Sequence, residues 1–242
     1  MKAAFDASGE LLVVTGGANG IGAALARAYA QAGGTSVVFD VAHADAVDGA
    51  ERVEQLAVDV ADRDAVFAAV ADVVERHGRV DALLAGAAVQ PRVEVADTDP
   101  ETWRRTLAVN LDGVVWCCQA VLPHMRARGA GAILTFASGL ARAGRAQASA
   151  YAASKGALVA FAGSLADEVA ADGVRVNVVF PGVIDTPQFR AANPAGGERE
   201  HWARTTGIGQ PEDVVGPLLF LLSDAATMTG STLTRDRAFP HG

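Results

Sequence analysis

Residues 11–31 read LLVVTGGANGIGAALARAYAQ: an apolar run, a glycine-rich turn and then a stretch rich in alanine and leucine. Leu11 to Val14 is the pattern of a strand that enters a tight turn, and the alanine-rich residues after the turn continue as a helix. Gly16, Gly20 and Gly22 remove side chains where a backbone must come close to a pyrophosphate. A helix that starts near Gly20 offers its free amides and the positive end of its dipole to such an anion. The alternative is an ordinary Gly/Asn turn, against which the strand before and the helix after both weigh. A triphosphate loop is excluded, because no Lys-Ser/Thr pair follows the glycines.

Outward from this unit, strands are predicted near 11–15, 35–40, 54–58, 80–85, 131–137, 174–180 and 231–235, with helical stretches between them. Such alternation specifies an α/β doubly wound parallel sheet of about seven strands with helices on both faces, joined by right-handed crossovers. Half of the 242 residues are hydrophobic and only 6% aromatic, as expected for Ala/Val-rich strands under close-packed helices. The motifs use the chain once and in order, so residues 1–242 are read as a single domain. In such a sheet ligands lie at the carboxyl ends of the strands, where the glycine turn, Ser138 and Pro181-Gly182 all fall. Residues 187–210, PQFRAANPAGGEREHWARTTGIGQ, break the composition. They are read as a lid with Phe189 and Trp202 as apolar contacts and a mobile turn from Asn193-Pro194 to Gly196-Gly197; a disordered surface loop is the alternative.

Tyr151 and Lys155 stand four residues apart in SAYAASKGALVAF, on one face of a predicted helix, thirteen residues after Ser138. A phenol with a pKa of about 10 is a poor base at neutral pH. An ammonium at roughly 4 Å, with an effective dielectric of about 20, would favour tyrosinate by about 4 kcal/mol and bring Tyr151 toward physiological pH. A tyrosine so tuned exchanges a proton with an alcohol or a carbonyl. Asp40 closes the second strand, TSVVFD, about twenty residues after the turn, where a carboxylate accepts both adenosine ribose hydroxyls and repels a 2′-phosphate. No Lys or Arg follows it until Arg52, and Ala18 and Asn19 bring no positive charge to the turn. These features favour NAD over NADP.

Together these residues resemble the short-chain dehydrogenase/reductase family over nearly the whole chain. The resemblance rests on the Gly-x-x-x-Gly-x-Gly turn, Asp59-Val60, Asn110 in VNLDG, Ser138, Tyr151, Lys155, and Pro181-Gly182 with Thr186 in NVVFPGVIDTP. It implies a Rossmann fold and a catalytic set of Asn110, Ser138, Tyr151 and Lys155. In that set Ser138 holds the reacting oxygen, Tyr151 is the acid/base, Lys155 also binds the nicotinamide ribose, and Asn110 supports a water relay to Lys155. It further implies cofactor contacts from Gly16, Asn19, Gly20, Ile21, Gly22, Asp40, Asp59, Val60, Ala85, Gly86, Pro181 and Gly182, with Ile184 and Thr186 at the carboxamide. Asp59 as a helix cap and Asn110 as the brace of a helix kink are the structural alternatives. Two segments depart from the pattern. Ala85-Gly86-Ala87-Ala88 stands where the family has Asn-Asn-Ala-Gly, so two amide side chains that tie neighbouring segments are missing. Asp236-Arg237-Ala238 replaces Asp-Gly-Gly near the end.

The expected function is NAD-dependent hydride transfer between nicotinamide and a secondary alcohol or sugar hemiacetal, without a metal. Its rivals are an NADP-dependent carbonyl reductase and a catalytically idle NAD-binding scaffold; a sugar-nucleotide epimerase lacks sequence for a substrate lobe. Gln90, Arg92, Arg142 and Gln147, with Phe189 and Trp202, are the candidate substrate contacts. A formal charge of −8 and a pI near 5.1 argue against nucleic acid and anionic membranes as partners. The adjacent Cys117 and Cys118 diverge on a helix and read as buried thiols. The start lacks a signal core and no apolar run approaches the length of a membrane span, which places the protein in the cytoplasm. The resemblance implies a homotetramer, or next a dimer, with apolar stretches 114–122 and 157–165 as contacts.

Overall fold

The computed structural model describes residues 4–42 and 50–236. Seven strands form one parallel sheet: β1 (Leu11–Thr15), β2 (Thr35–Asp40), β3 (Val53–Ala57), β4 (Ala82–Ala85), β5 (Gly131–Phe136), β6 (Val174–Phe180) and β7 (Thr232–Thr234). Their order is β3-β2-β1-β4-β5-β6-β7, so the winding reverses between β1 and β4. β1 is buried on both faces: Leu11 and Val13 enter one core, Leu12 and Val14 the other. The first core is closed by α2 (Arg63–His77), α4 (Gly113–Arg128) and α6 (Ser149–Val169), and the second by α1 (Gly20–Gln31) and α9 (Val215–Leu222). Burying each large aliphatic side chain contributes roughly 1.5 to 3 kcal/mol, which is why continuous apolar strands suit this two-sided position. β4 begins two residues later than expected, because the Asp81 carboxylate accepts the Leu11 amide at 2.7 Å and pairs with Arg79 at 2.6 Å.

α3 (Pro100–Leu107), a π-helical turn (Ala108–Asp112) and α4 run as one helix. Asp99 caps its start, accepting from the Thr102 amide at 2.8 Å, and Gly129 ends it in the left-handed conformation. Contrary to the sequence expectation, Pro100–Arg128 is long and apolar enough to cross a bilayer by length and composition. Over half of its apolar window is buried, because Val109, Val114, Cys117 and Val121 pack against the sheet.

Residues 187–210 are more ordered than a loop. α7 (Pro187–Ala192) and α8 (Gly197–Thr205) flank the predicted turn, with a further short helix, α5 (Leu140–Ala143), after β5. Thr186 caps α7 by accepting the Phe189 amide at 3.1 Å, and Pro187 supplies a preset first helical residue. The buried Asn193 is pinned through its Nδ2, which donates to the Phe189 carbonyl at 2.9 Å.

Candidate active site

The reversal of strand order opens a crevice between the carboxyl ends of β1 and β4, and the glycine turn lies in it. Its glycines answer first to the protein's own packing. Gly16 has φ +71°, and a Cβ there would stand 2.7 Å from Ala87 Cα; a Cβ on Gly22 would stand 2.5 Å from the Gly16 carbonyl oxygen. The two segments therefore touch backbone to backbone. The Asn19 side chain does not cap α1 and no acidic residue occupies the first turn, so the first amides of this twelve-residue helix are open to an anion. Gly16, Asn19, Gly20, Ile21 and Gly22 line a cavity of about 520 Å³. These features fit the pyrophosphate of a dinucleotide.

Asp40 lines an adjoining cavity of about 210 Å³ together with Asp59 and Val60. One Asp40 oxygen accepts the Ala18 amide at 2.9 Å and the other the Ala42 amide at 3.1 Å. Strand end and glycine turn are thus tied together by the carboxylate expected at the ribose. Asp59 pairs with Arg105 at 2.9 Å and accepts the Ala61 amide at 3.0 Å. Of the unusual Ala85-Gly86-Ala87-Ala88, Ala85 faces the core and lines neither cavity, whereas Gly86 and Ala88 line both. The Thr15 hydroxyl oxygen accepts the amides of Gly86 and Ala87 at 3.1 and 3.2 Å, so the turn has a tie of its own between β1 and β4.

Ser138, just after β5, and Tyr151 and Lys155, on the first turns of α6, line the larger cavity. Burial raises the Tyr151 pKa above the usual phenol value, while its hydrogen bond with Ser138 opposes the rise. The expectation that Lys155 brings Tyr151 toward physiological pH is therefore corrected: burial raises the phenol, and Lys155 Nζ lies 5.8 Å from the Tyr151 ring centre. Lys155 is 2% exposed, and burial pulls its ammonium down from 10.5 to about 8.

Asn110 is fully buried in the π-helical turn and lines neither cavity. Its Oδ1 accepts the Val89 amide at 2.8 Å, and its Nδ2 donates to the Val89 carbonyl at 2.9 Å and to Ser154 Oγ at 3.0 Å. The side chain thus ties the π-helical turn to the segment after β4 and to α6.

Pro181, Gly182, Ile184 and Thr186, after β6, line the same cavity as Tyr151, and so do Gln90, Arg92, Arg142, Phe189 and Trp202. Gln147 does not. It is exposed, with φ 63°, and its carbonyl accepts the Val93 amide at 2.9 Å, so its place in the turn is set by the backbone. The Arg142 guanidinium lies over Phe180, 4.3 Å from the ring centre. Sequence reading missed Arg145, which lines the cavity, pairs with Glu198 of α8 at 2.7 Å and stacks over Trp202 at 4.8 Å. Its three-residue spacing from Arg142 across Gly144 was the available signal. Near the C-terminus the retained Asp236 lines the cavity, and the altered Arg237-Ala238 lie outside the described residues.

The family model for short chain dehydrogenase matches residues 10–196. Cis-4-hydroxycyclohexanecarboxylate dehydrogenase of Sinomonas cyclohexanicum is 38% identical over 95% of this chain and 96% of its own. Galactitol 2-dehydrogenase (L-tagatose-forming) of Cereibacter sphaeroides is 35% identical over 98% of each. Among solved structures, a protein from Beutenbergia cavernae assigned as an NAD(P)-dependent gluconate 5-dehydrogenase, with NADP bound, superposes with a TM-score of 0.87. It is 33% identical and the match covers 97% of this chain and 98% of that one.

Proposed function

Because this chain belongs to the short-chain dehydrogenase family, oxidoreductases that use a nicotinamide cofactor on alcohol and sugar substrates, we propose that it is an NAD-dependent enzyme. It interconverts a secondary alcohol and its ketone, or a cyclic hemiacetal and its lactone. The observation that carries this reading is that Ser138, Tyr151 and Lys155 line the same cavity as the glycine turn. The open amides of α1 suit the pyrophosphate, Asp40 the ribose hydroxyls, and Ile184 and Thr186 the carboxamide. When bound, nicotinamide supplies the hydride acceptor or donor.

The protein's own residues handle the oxygen and its proton. Ser138 holds the reacting oxygen, and Tyr151 takes the hydroxyl proton in oxidation and returns it in reduction. The hydrogen bond from Ser138 favours the phenolate that oxidation requires. Absorbance of the reduced cofactor, followed with NAD and NADP over secondary alcohols, polyols, aldoses and hydroxy acids, tests the reading.

A second reading, NADP-dependent carbonyl reduction, is favoured by the NADP held by the related gluconate 5-dehydrogenase. Asp40 supports NAD, since a carboxylate beside the glycine turn repels a 2′-phosphate. The proposal extends to a cytoplasmic homotetramer, for which exposed Val159 on α6 and Trp103 on α3 offer apolar contact. Mass measurement in solution checks the assembly.

A further inference from the structure

Arg92 and Arg145 enter the cavity from different loops, the first after β4 and the second after α5, and both reach one atom. The Nη2 groups of the two guanidiniums meet Glu198 Oε1 at 3.2 and 2.7 Å. Each arginine side chain is only 17% exposed, whereas Glu198 is 44% exposed at the edge of α8. Two cations share one carboxylate, so this wall keeps a net positive charge. Arg92 Nη1 and Arg145 Nε are buried donors that meet no acceptor among the described residues. Buried guanidinium donors left unpaired are costly, and a carboxylate, an anion with two acceptor oxygens, is a group that can satisfy them. Trp202 covers the Arg145 guanidinium and limits competition from water.

We propose that Arg92 and Arg145 form a receptor for a substrate carboxylate, so that the preferred substrate is a hydroxy acid or its keto acid. Its hydroxyl lies at Tyr151 and its carboxylate at the arginine wall of the same cavity. This deepens the dehydrogenase reading and rests on it. Glu198 is then a resident competitor that holds the two arginines in place and yields part of their hydrogen bonding to the substrate. A purely structural latch between α8 and the two loops is the opposing account.

The test compares cis-4-hydroxycyclohexanecarboxylate with its carboxamide in steady-state oxidation. In parallel, binding of cyclohexanecarboxylate and cyclohexanecarboxamide is followed by tryptophan fluorescence, with Trp202→Phe as the blank. The acid should be preferred by about tenfold or more, chiefly through KM, and Arg145→Gln and Arg92→Gln should each bring the ratio toward unity. Glu198→Gln should tighten carboxylate binding, moving opposite to the arginine variants, whereas a latch moves all three the same way. Equal use of acid and amide, or an acid preference that survives both arginine substitutions, overturns the proposal while leaving the dehydrogenase reading intact. If no alcohol is oxidised with either cofactor, the dehydrogenase reading fails, and the fluorescence titration still decides whether the arginines select carboxylates.

Discussion

Asn110 and Ser154, forty-four residues apart in sequence, are joined in the interior: Asn110 Nδ2 donates to Ser154 Oγ at 3.0 Å, and Ser154 Oγ donates to the Tyr151 carbonyl at 2.7 Å. Since the Asn110 amide also holds both backbone groups of Val89, one side chain ties the loop after β4, the α3/α4 junction and the helix that carries Tyr151 and Lys155. Buried amides of this kind fix relative position more than they add net stability.

Removing that amide takes the partner from both backbone groups of Val89 and one of two partners from the Ser154 hydroxyl. Asn110→Ala should destabilise the fold by roughly 2 kcal/mol, because the part-buried Val89 N–H and C=O lose their partner and the buried Ser154 hydroxyl loses one of two. Chemical denaturation checks the value. A loss below about 1 kcal/mol would show that other groups take over the bonds.

Asp40→Ala should raise the ratio of kcat/KM for NADP over NAD by about tenfold or more. It should also cost about 1 kcal/mol of stability, because the Ala18 and Ala42 amides lose their acceptor. Asp40→Asn keeps an acceptor without the charge and so separates the two effects. Cofactor preference unchanged in both variants would remove Asp40 from cofactor selection.

The buried Lys155 carries a stability cost of known sign. Its folded pKa, about 8, lies below its ordinary 10.5, so between those values the unfolded chain binds more protons and stability rises with pH. Below about pH 8 the full cost, on the order of 3 kcal/mol, is present. Lys155→Met should therefore melt several degrees higher than wild type at neutral pH, lose turnover, and surrender its advantage as pH rises toward 10.5. Thermal melts across that range check it, and a Met variant less stable at neutral pH would contradict it.

The sheet was legible because its strands are buried on both faces. Uninterrupted runs such as LLVVT and TSVVFD leave little choice of element, and the predicted β1, β2 and β6 have the bounds seen in the structure. The start of β4 moved for a side-chain reason a linear reading does not contain, because Asp81 takes the Leu11 amide. At the site, spacing marked Tyr151 and Lys155, but their electrostatics depend on burial, which four-residue spacing cannot show. Arg145 and Glu198 are distant in sequence and gain meaning only when α8 folds over the cavity. Gln147 was drawn in by position, although its φ of 63° turns it outward.

In the proposed reaction Tyr151 moves the proton of a nicotinamide-dependent oxidation. Its most direct test is oxidation of one turned-over alcohol by wild type and Tyr151→Phe, with cofactor binding measured calorimetrically in both. The phenylalanine variant should bind cofactor as wild type does and lose about a thousandfold or more in kcat, since only the hydroxyl that exchanges the proton is gone. Retention of kcat within about tenfold would contradict the assignment and move the acid/base role to another group in the cavity.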